Sequence, residues 1–177
     1  MDYLSFVESL KILMPDIEIL KNLNYSEKEI SKLKNSYVLN KKLSIDNFNQ
    51  DLGEFGKLLS NYDIDKLEIG MISFLNKPIN SNEDYFIIGK VEADNLLYSK
   101  KKSLFYVQDK TSVLWECASS PENFLGALLN MMEYFSKVAV DESLFENWEL
   151  LENYAKKSSE LAGGKHFQNF YKMLLGI

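Results

Sequence analysis

The segment from residue 87 to residue 132 reads IIGKVEADNLLYSKKKSLFYVQDKTSVLWECASSPENFLGALLNMM, and its hydrophobic period changes once. Before Ser119 the apolar residues come in short runs, rich in aromatic and β-branched side chains and closed by polar turns. Such runs read as strands. After Pro121 the period lengthens. Phe124, Leu125, Leu128, Leu129, Met132 and Phe135 recur at helical spacing on one face. A chain with this pattern is constrained to a set of consecutive strands that ends in a helix able to lie across them. Ser119 with Glu122 fits a capping box, whereas Ser120 would place Pro121 at the first helical position. Both starts are open to the sequence.

The flanking segments extend the pattern in both directions. On the N-terminal side, Leu4, Phe6, Val7, Leu10 and Leu13 share a helical face that Pro15 ends or redirects. Ser26 and Glu29 form a capping box for a helix carrying Ile30, Leu33 and Tyr37. A third helical pattern starts near Ser44 with Ile45, Phe48, Leu52, Phe55 and Leu59, and Gly53 and Gly56 predict a break or a close approach within it. From Tyr62 the strands begin. Residues 67–75 read as one strand with a bulge at Gly70, and residues 76–84 as a turn-rich loop. Strands are then expected at 85–91, 96–98, 104–107 and 111–117. Short turns between successive strands imply an antiparallel meander rather than βαβ units.

On the C-terminal side, Ser143 with Glu146 signals a helix start, with Leu144, Trp148, Leu151 and Ala155 as its apolar stripe. Gly163 and Gly164 stop it, and residues 165–175 form a short terminal helix. The expected fold is therefore α+β: an antiparallel β-sheet meander flanked by N-terminal helices (1–61) and C-terminal helices (119–177), with the sheet at 62–118. The 177 residues read as a single domain, 1–177, with no internal repeat or linker.

Charge and chemistry narrow the function classes. The formal net charge of −6 disfavours direct binding to nucleic acid or to an anionic membrane and favours a basic partner. The acids are clustered. Residues 116–152 hold Glu116, Glu122, Glu133, Asp141, Glu142, Glu146, Glu149 and Glu152 against Lys137 alone. One cysteine, Cys117, permits no disulfide within the chain, and the N-terminus reads as an amphipathic helix instead of a secretory signal. No apolar run is long enough to span a bilayer. A cytoplasmic protein is expected. His166 is the only histidine, so a histidine-rich metal site is excluded, and no cofactor motif is present. The expectation is a non-catalytic chain without cofactor or metal.

Aromatic residues supply a second clue. Tyr85, Tyr98, Tyr106 and Trp115 lie on or beside expected strands, each with an acid from the set Asp84, Glu92, Asp94, Asp109 and Glu116 close by. Tyrosine and tryptophan beside charges recur as interface hot spots, and they recur equally in cores. Alternation puts Leu114 and Glu116 opposite Trp115, which leaves the side taken by Trp115 open.

The stretches IGKVEADNLLYSKKKSLFYVQD and LWECASSPENFLGALL are similar to the core of the SUKH superfamily (Smi/Knr-like), which includes fungal cell-wall-synthesis regulators and many bacterial immunity proteins. The matching features are Gly89 near a strand end, the short meander, and ASSPENFLGALL at the strand-to-helix junction. The tail AGGKHFQNFYKMLLG also resembles bacterial relatives, so the likeness covers roughly residues 62–177. The resemblance implies an α+β binding protein without enzymatic activity. In its bacterial branch it implies neutralisation of a cognate protein toxin, often a nuclease or nucleic-acid deaminase, by stoichiometric occlusion. A basic toxin suits the acidic chain, because enzymes acting on nucleic acid carry basic clefts. The expected partner-binding residues are Tyr85, Glu92, Asp94, Tyr98, Asp109 and Glu116. Two rivals are a regulatory protein-binding scaffold, as in the fungal regulators, and a small-ligand or enzymatic domain built around a deep polar pocket.

Overall fold

A computed structural model describes residues 1–44, 50–82 and 84–177. In chain order the elements are α1 (Tyr3–Leu13), α2 (Ile17–Asn22), α3 (Glu27–Tyr37), β1 (Asn40–Lys41), α4 (Gly53–Asn61) and β2 (Tyr62–Asp63). They continue with β3 (Glu68–Ile69), β4 (Ile72–Asn82), β5 (Tyr85–Val91), β6 (Asp94–Ser99), β7 (Leu104–Gln108) and β8 (Val113–Ala118). The chain closes with α5 (Pro121–Val140), α6 (Trp148–Ala162) and α7 (Gln168–Leu175). Strands β3 to β8 form one antiparallel sheet in strict sequence order, and β1 pairs with β2 apart from it. The α+β meander flanked by helices is the architecture the periodicity implies.

Local signals explain the helix ends. Ser26 and Glu29 cap α3 reciprocally. For α5 the cap is Ser120, whose side chain accepts from the Asn123 amide, with Pro121 at the first helical position. Ser119 instead ties the sheet end to the end of α6, since its Oγ donates to the Ala162 carbonyl at 3.0 Å and accepts from Asn123 Nδ2. Gly163, at φ 116, terminates α6.

The structure corrects four expectations. Gly70, at φ 58, occupies a two-residue turn between β3 and β4, so the run at 67–75 is a hairpin and contains no bulge at the glycine. Glycine takes that backbone region at no steric cost, and a Cβ there would meet the Phe135 ring. Residues 76–82 continue β4 rather than forming a loop; the ladder with β5 slips between Phe74 and Ile79, which hides the period. Helix α6 begins at Trp148, capped by Asn147, because Asp141 and not Ser143 accepts at the turn before it. Trp148 is consequently exposed. Leu4 also stays exposed while Phe6 and Leu10 bury fully. Of the third helical pattern, Leu52, Phe55 and Leu59 are buried and α4 starts at Gly53. Ile45 and Phe48, and Glu83 in the expected loop, lie outside the described residues.

Helix α5 is the axis of the core. It buries Phe124, Leu125, Leu128, Met131 and Met132 between the sheet and helices α1, α4 and α6. A helix that is apolar nearly all round belongs at the centre of a fold. Beneath its first turns Phe105 stacks on Phe124 at 4.3 Å between ring centroids, and Phe55 closes the cluster edge-on to Phe105. Ser136 Oγ donates to the Leu13 carbonyl and Tyr37 OH to the Met132 carbonyl, so α1 and α3 are pinned to α5 by polar bonds as well. Cys117 is fully buried, its thiol pushed up by desolvation, and its carbonyl accepts from Tyr171 OH at 2.9 Å. His166 is exposed on a short 3₁₀ turn before α7. Among the described residues no helix is long and apolar enough to cross a membrane, and no group of three His, Cys, Asp or Glu could hold a metal ion.

Candidate partner-binding face

The strand registers sort the sheet's side chains into two faces. One row, Phe86, Tyr98, Phe105 and Ala118, pairs across β5 to β8 and enters the core under Phe55 and Phe124. The next row points the other way. Ile79, Ile87, Leu97, Tyr106 and Glu116 are successive partners across β4, β5, β6, β7 and β8. Leu97 and Tyr106 are buried, whereas Ile79 at the end of the row is 55% exposed. The result is an apolar ladder on the face turned away from the helices, closed at one end by a carboxylate. Tyr85 covers it: its ring meets that of Tyr106 edge-on at 5.9 Å. Burial, with Tyr85 beside it, pushes the Tyr106 hydroxyl up to about 12, so the Tyr106 hydroxyl is neutral across the physiological range.

Of the six expected contact residues, Tyr85 and Glu116 therefore sit together on this face. Glu92, Asp94 and Asp109 gather at one end of the sheet, where the β3–β4, β5–β6 and β7–β8 turns lie side by side. Glu92 occupies the β5–β6 turn at φ 52, and its amide donates to the Met71 carbonyl at 3.0 Å, which binds two of those turns together. Asp94 is half-buried at the start of β6. The opposite end carries the lysine turn at 100–102, where the Lys100 ammonium lies over the Phe86 ring at 4.3 Å.

Tyr98 is a correction. It is 2% exposed, its ring packs on Phe105, and its hydroxyl donates to the Asp51 carbonyl at 2.9 Å. Register decides this, since Tyr98 pairs with Phe86 and Phe105 in the inward row. Trp115 also packs against the core, with Leu114 and Glu116 turned outward. Sequence alone did not reveal Ile87 and Leu97 as members of the outer row. A bulge between Ile87 and Gly89 breaks the alternation that would have shown them.

Asp109 has a structural duty. Its Oδ1 accepts from the amides of Thr111 and Ser112 at 2.6 and 2.7 Å, which holds its carboxyl below the usual carboxylate range. A lowered folded value means the turn is stabilised above the ordinary value near 3.8, and that stabilisation is lost as pH falls through the folded one. Asp109→Ala is thus expected to lower the melting temperature at about pH 7 and to differ less from wild type near pH 3. A gap that stays constant with pH would remove this role.

A concavity of about 420 Å³ runs between α1, α5 and α6 and is lined by Ile12, Leu13, Leu129 and Leu161. At its floor Asn130 Nδ2 donates to Ser158 Oγ at 2.8 Å, and among the described residues no donor reaches the buried Asn130 Oδ1. Glu133 beside it is held by Lys137 and Tyr154 OH. The groove is open to solvent, with apolar walls around the Asn130 amide and the Glu133 carboxylate. Comparison with protein-family models, with curated proteins and with solved structures finds no match for this chain.

Proposed function

We propose that this chain is a non-catalytic immunity protein of SUKH type that neutralises a basic cognate toxin, a nuclease or nucleic-acid deaminase, by covering its active cleft. The observation that supports this reading most is the outward sheet row. The row ends in the exposed Ile79 and Glu116, and it lies beside a turn end carrying Glu92 and Asp94, an acidic surface that suits a basic cleft. The net charge of −6 adds long-range attraction for such a partner.

The test is a rescue assay in which the toxin domain encoded beside this gene is expressed with and without the protein, and survivors are counted. The wild-type chain is expected to restore growth. Reversing Glu92, Asp94 and Glu116 to lysine together is expected to slow association at low salt on the order of tenfold to a hundredfold. Rescue should fall with it. Salt-insensitive association would remove the electrostatic part of the reading. Growth that stays arrested, with no complex on mixing the purified pair, would leave the regulatory scaffold ahead.

A further inference from the structure

The connection between α5 and α6 leaves two large aromatic side chains in solvent. Residues 142–146 form a 3₁₀ turn instead of the first turn of α6, and both its ends are fastened. Asp141 Oδ1 accepts from the Ser143 amide at 3.1 Å and from Ser143 Oγ at 2.6 Å, while Asn147 Oδ1 accepts from the Leu150 amide at 3.0 Å. Leu144 packs inward on a second small core made of Tyr134, Val138, Leu151 and Tyr154. The turn that packs the half-buried Leu144 inward points Phe145 and Trp148 outward, at 55% and 65% exposure. Phe145 is braced from below, edge-on to Tyr134 at 6.4 Å.

The charges around the two rings are unbalanced. Glu142, Glu146 and Glu149 are exposed, and none has a lysine partner among the described residues. Two lysines of the flanking helices are engaged elsewhere, Lys137 with Glu133 and Lys172 with Glu152. Exposed aromatics on a fixed backbone, rimmed by one sign of charge, mark a docking surface. The rim selects a basic protein and repels nucleic acid and anionic lipid.

The patch is also connected to the turn end of the sheet. Glu92 bonds to Met71, the adjoining Gly70 packs under Phe135, Phe135 meets Tyr134 at 5.3 Å, and Tyr134 braces Phe145. We propose that Phe145 and Trp148 are the apolar anchors by which this chain seats a basic protein partner, with Glu142, Glu146 and Glu149 steering it. The inference rests on the toxin-neutralisation reading and adds to the acidic end of the sheet a pair of apolar anchors on the α5–α6 turn.

The experiment uses the full chain, its Phe145→Ala, Trp148→Ala and double variants, and the purified toxin domain. Both side chains are exposed, so melting temperatures should stay close to wild type. Each single variant is expected to weaken the complex on the order of thirtyfold, chiefly through faster dissociation. The double variant should lose rescue. Ile12→Ala, at a residue 82% exposed on α1, should bind as wild type does. A triple Glu142→Lys, Glu146→Lys, Glu149→Lys variant should slow association and flatten its salt dependence. Aromatic variants that bind within about twofold of wild type, where truncating an anchor must cost far more, overturn the inference and leave the immunity reading intact. A wild-type dimer that the same substitutions convert to monomers overturns it in favour of self-association. A wild-type chain that forms no complex overturns the immunity reading and this inference with it.

Discussion

Gly89→Ala is expected to destabilise the protein by about 3 kcal/mol, the upper end of what overpacking costs. The reason is a backbone contact and not a left-handed conformation. A Cβ at this position would run into the Ser73 carbonyl oxygen and lie 3.2 Å from the Phe74 Cα on the neighbouring strand. Neither obstacle is the flexible end of a side chain. Relief requires β4 and β5 to part where Ser73 pairs with Lys90 and Phe74 with Gly89. Phe74 would then lose its place against Phe55 in the core. Gly126→Ala is the internal control, because its added Cβ meets only Leu161 Cβ, at 4.0 Å, inside α5. Alanine there should gain up to about 1 kcal/mol of helix propensity. Urea denaturation of both variants checks the pair. Equal effects at the two glycines would show that composition matters at these sites and that close strand approach does not.

Phe105→Ala should cost about 3–5 kcal/mol, the range for removing a fully buried aromatic ring. Phe105 is where the sheet, α4 and α5 meet. Its ring touches those of Tyr98 at 4.8 Å, Phe55 at 5.7 Å and Phe124 at 4.3 Å. Removing it leaves a cavity bounded by three rings, each set by a different element, so collapse around the gap is restricted. Phe105→Leu keeps much of the volume and should cost less than the alanine variant. The binding predictions separate cleanly from this one, since Glu116, Phe145 and Trp148 lie outside the core. If Phe105→Ala melted within a few degrees of wild type, the aromatic cluster would not be the structural centre assigned to it.

The positions where the sequence was legible share one property: the deciding contact is local. Ser26 and Glu29 lie three residues apart, so their capping box could be read directly. The change of period at Pro121 announced α5, and the short turns between strands announced an antiparallel meander. The clustering of acids between Glu116 and Glu152 was likewise visible as composition.

What tertiary structure decided was facing. Tyr85 and Tyr98 look alike in the sequence, each a tyrosine near an acid on a strand. Register sends Tyr98 inward beside Phe105 and leaves Tyr85 on the outer row. A slip of one residue reverses every side chain of a strand, and here the ladders slip near Ile87 and again between Phe105 and Tyr106, where no local pattern records it. Trp148 shows the same limit in a helix. The Ser143–Glu146 spacing predicted a helix start that would bury it, but Asp141 captures the Ser143 amide and Asn147 caps the helix that follows. Local signals thus determined the capped helices and the order of the meander, but not that residues 76–82 extend β4. Competition between caps and pairing across strands determined which side chains those elements present to a partner, because a face is a relation between distant segments.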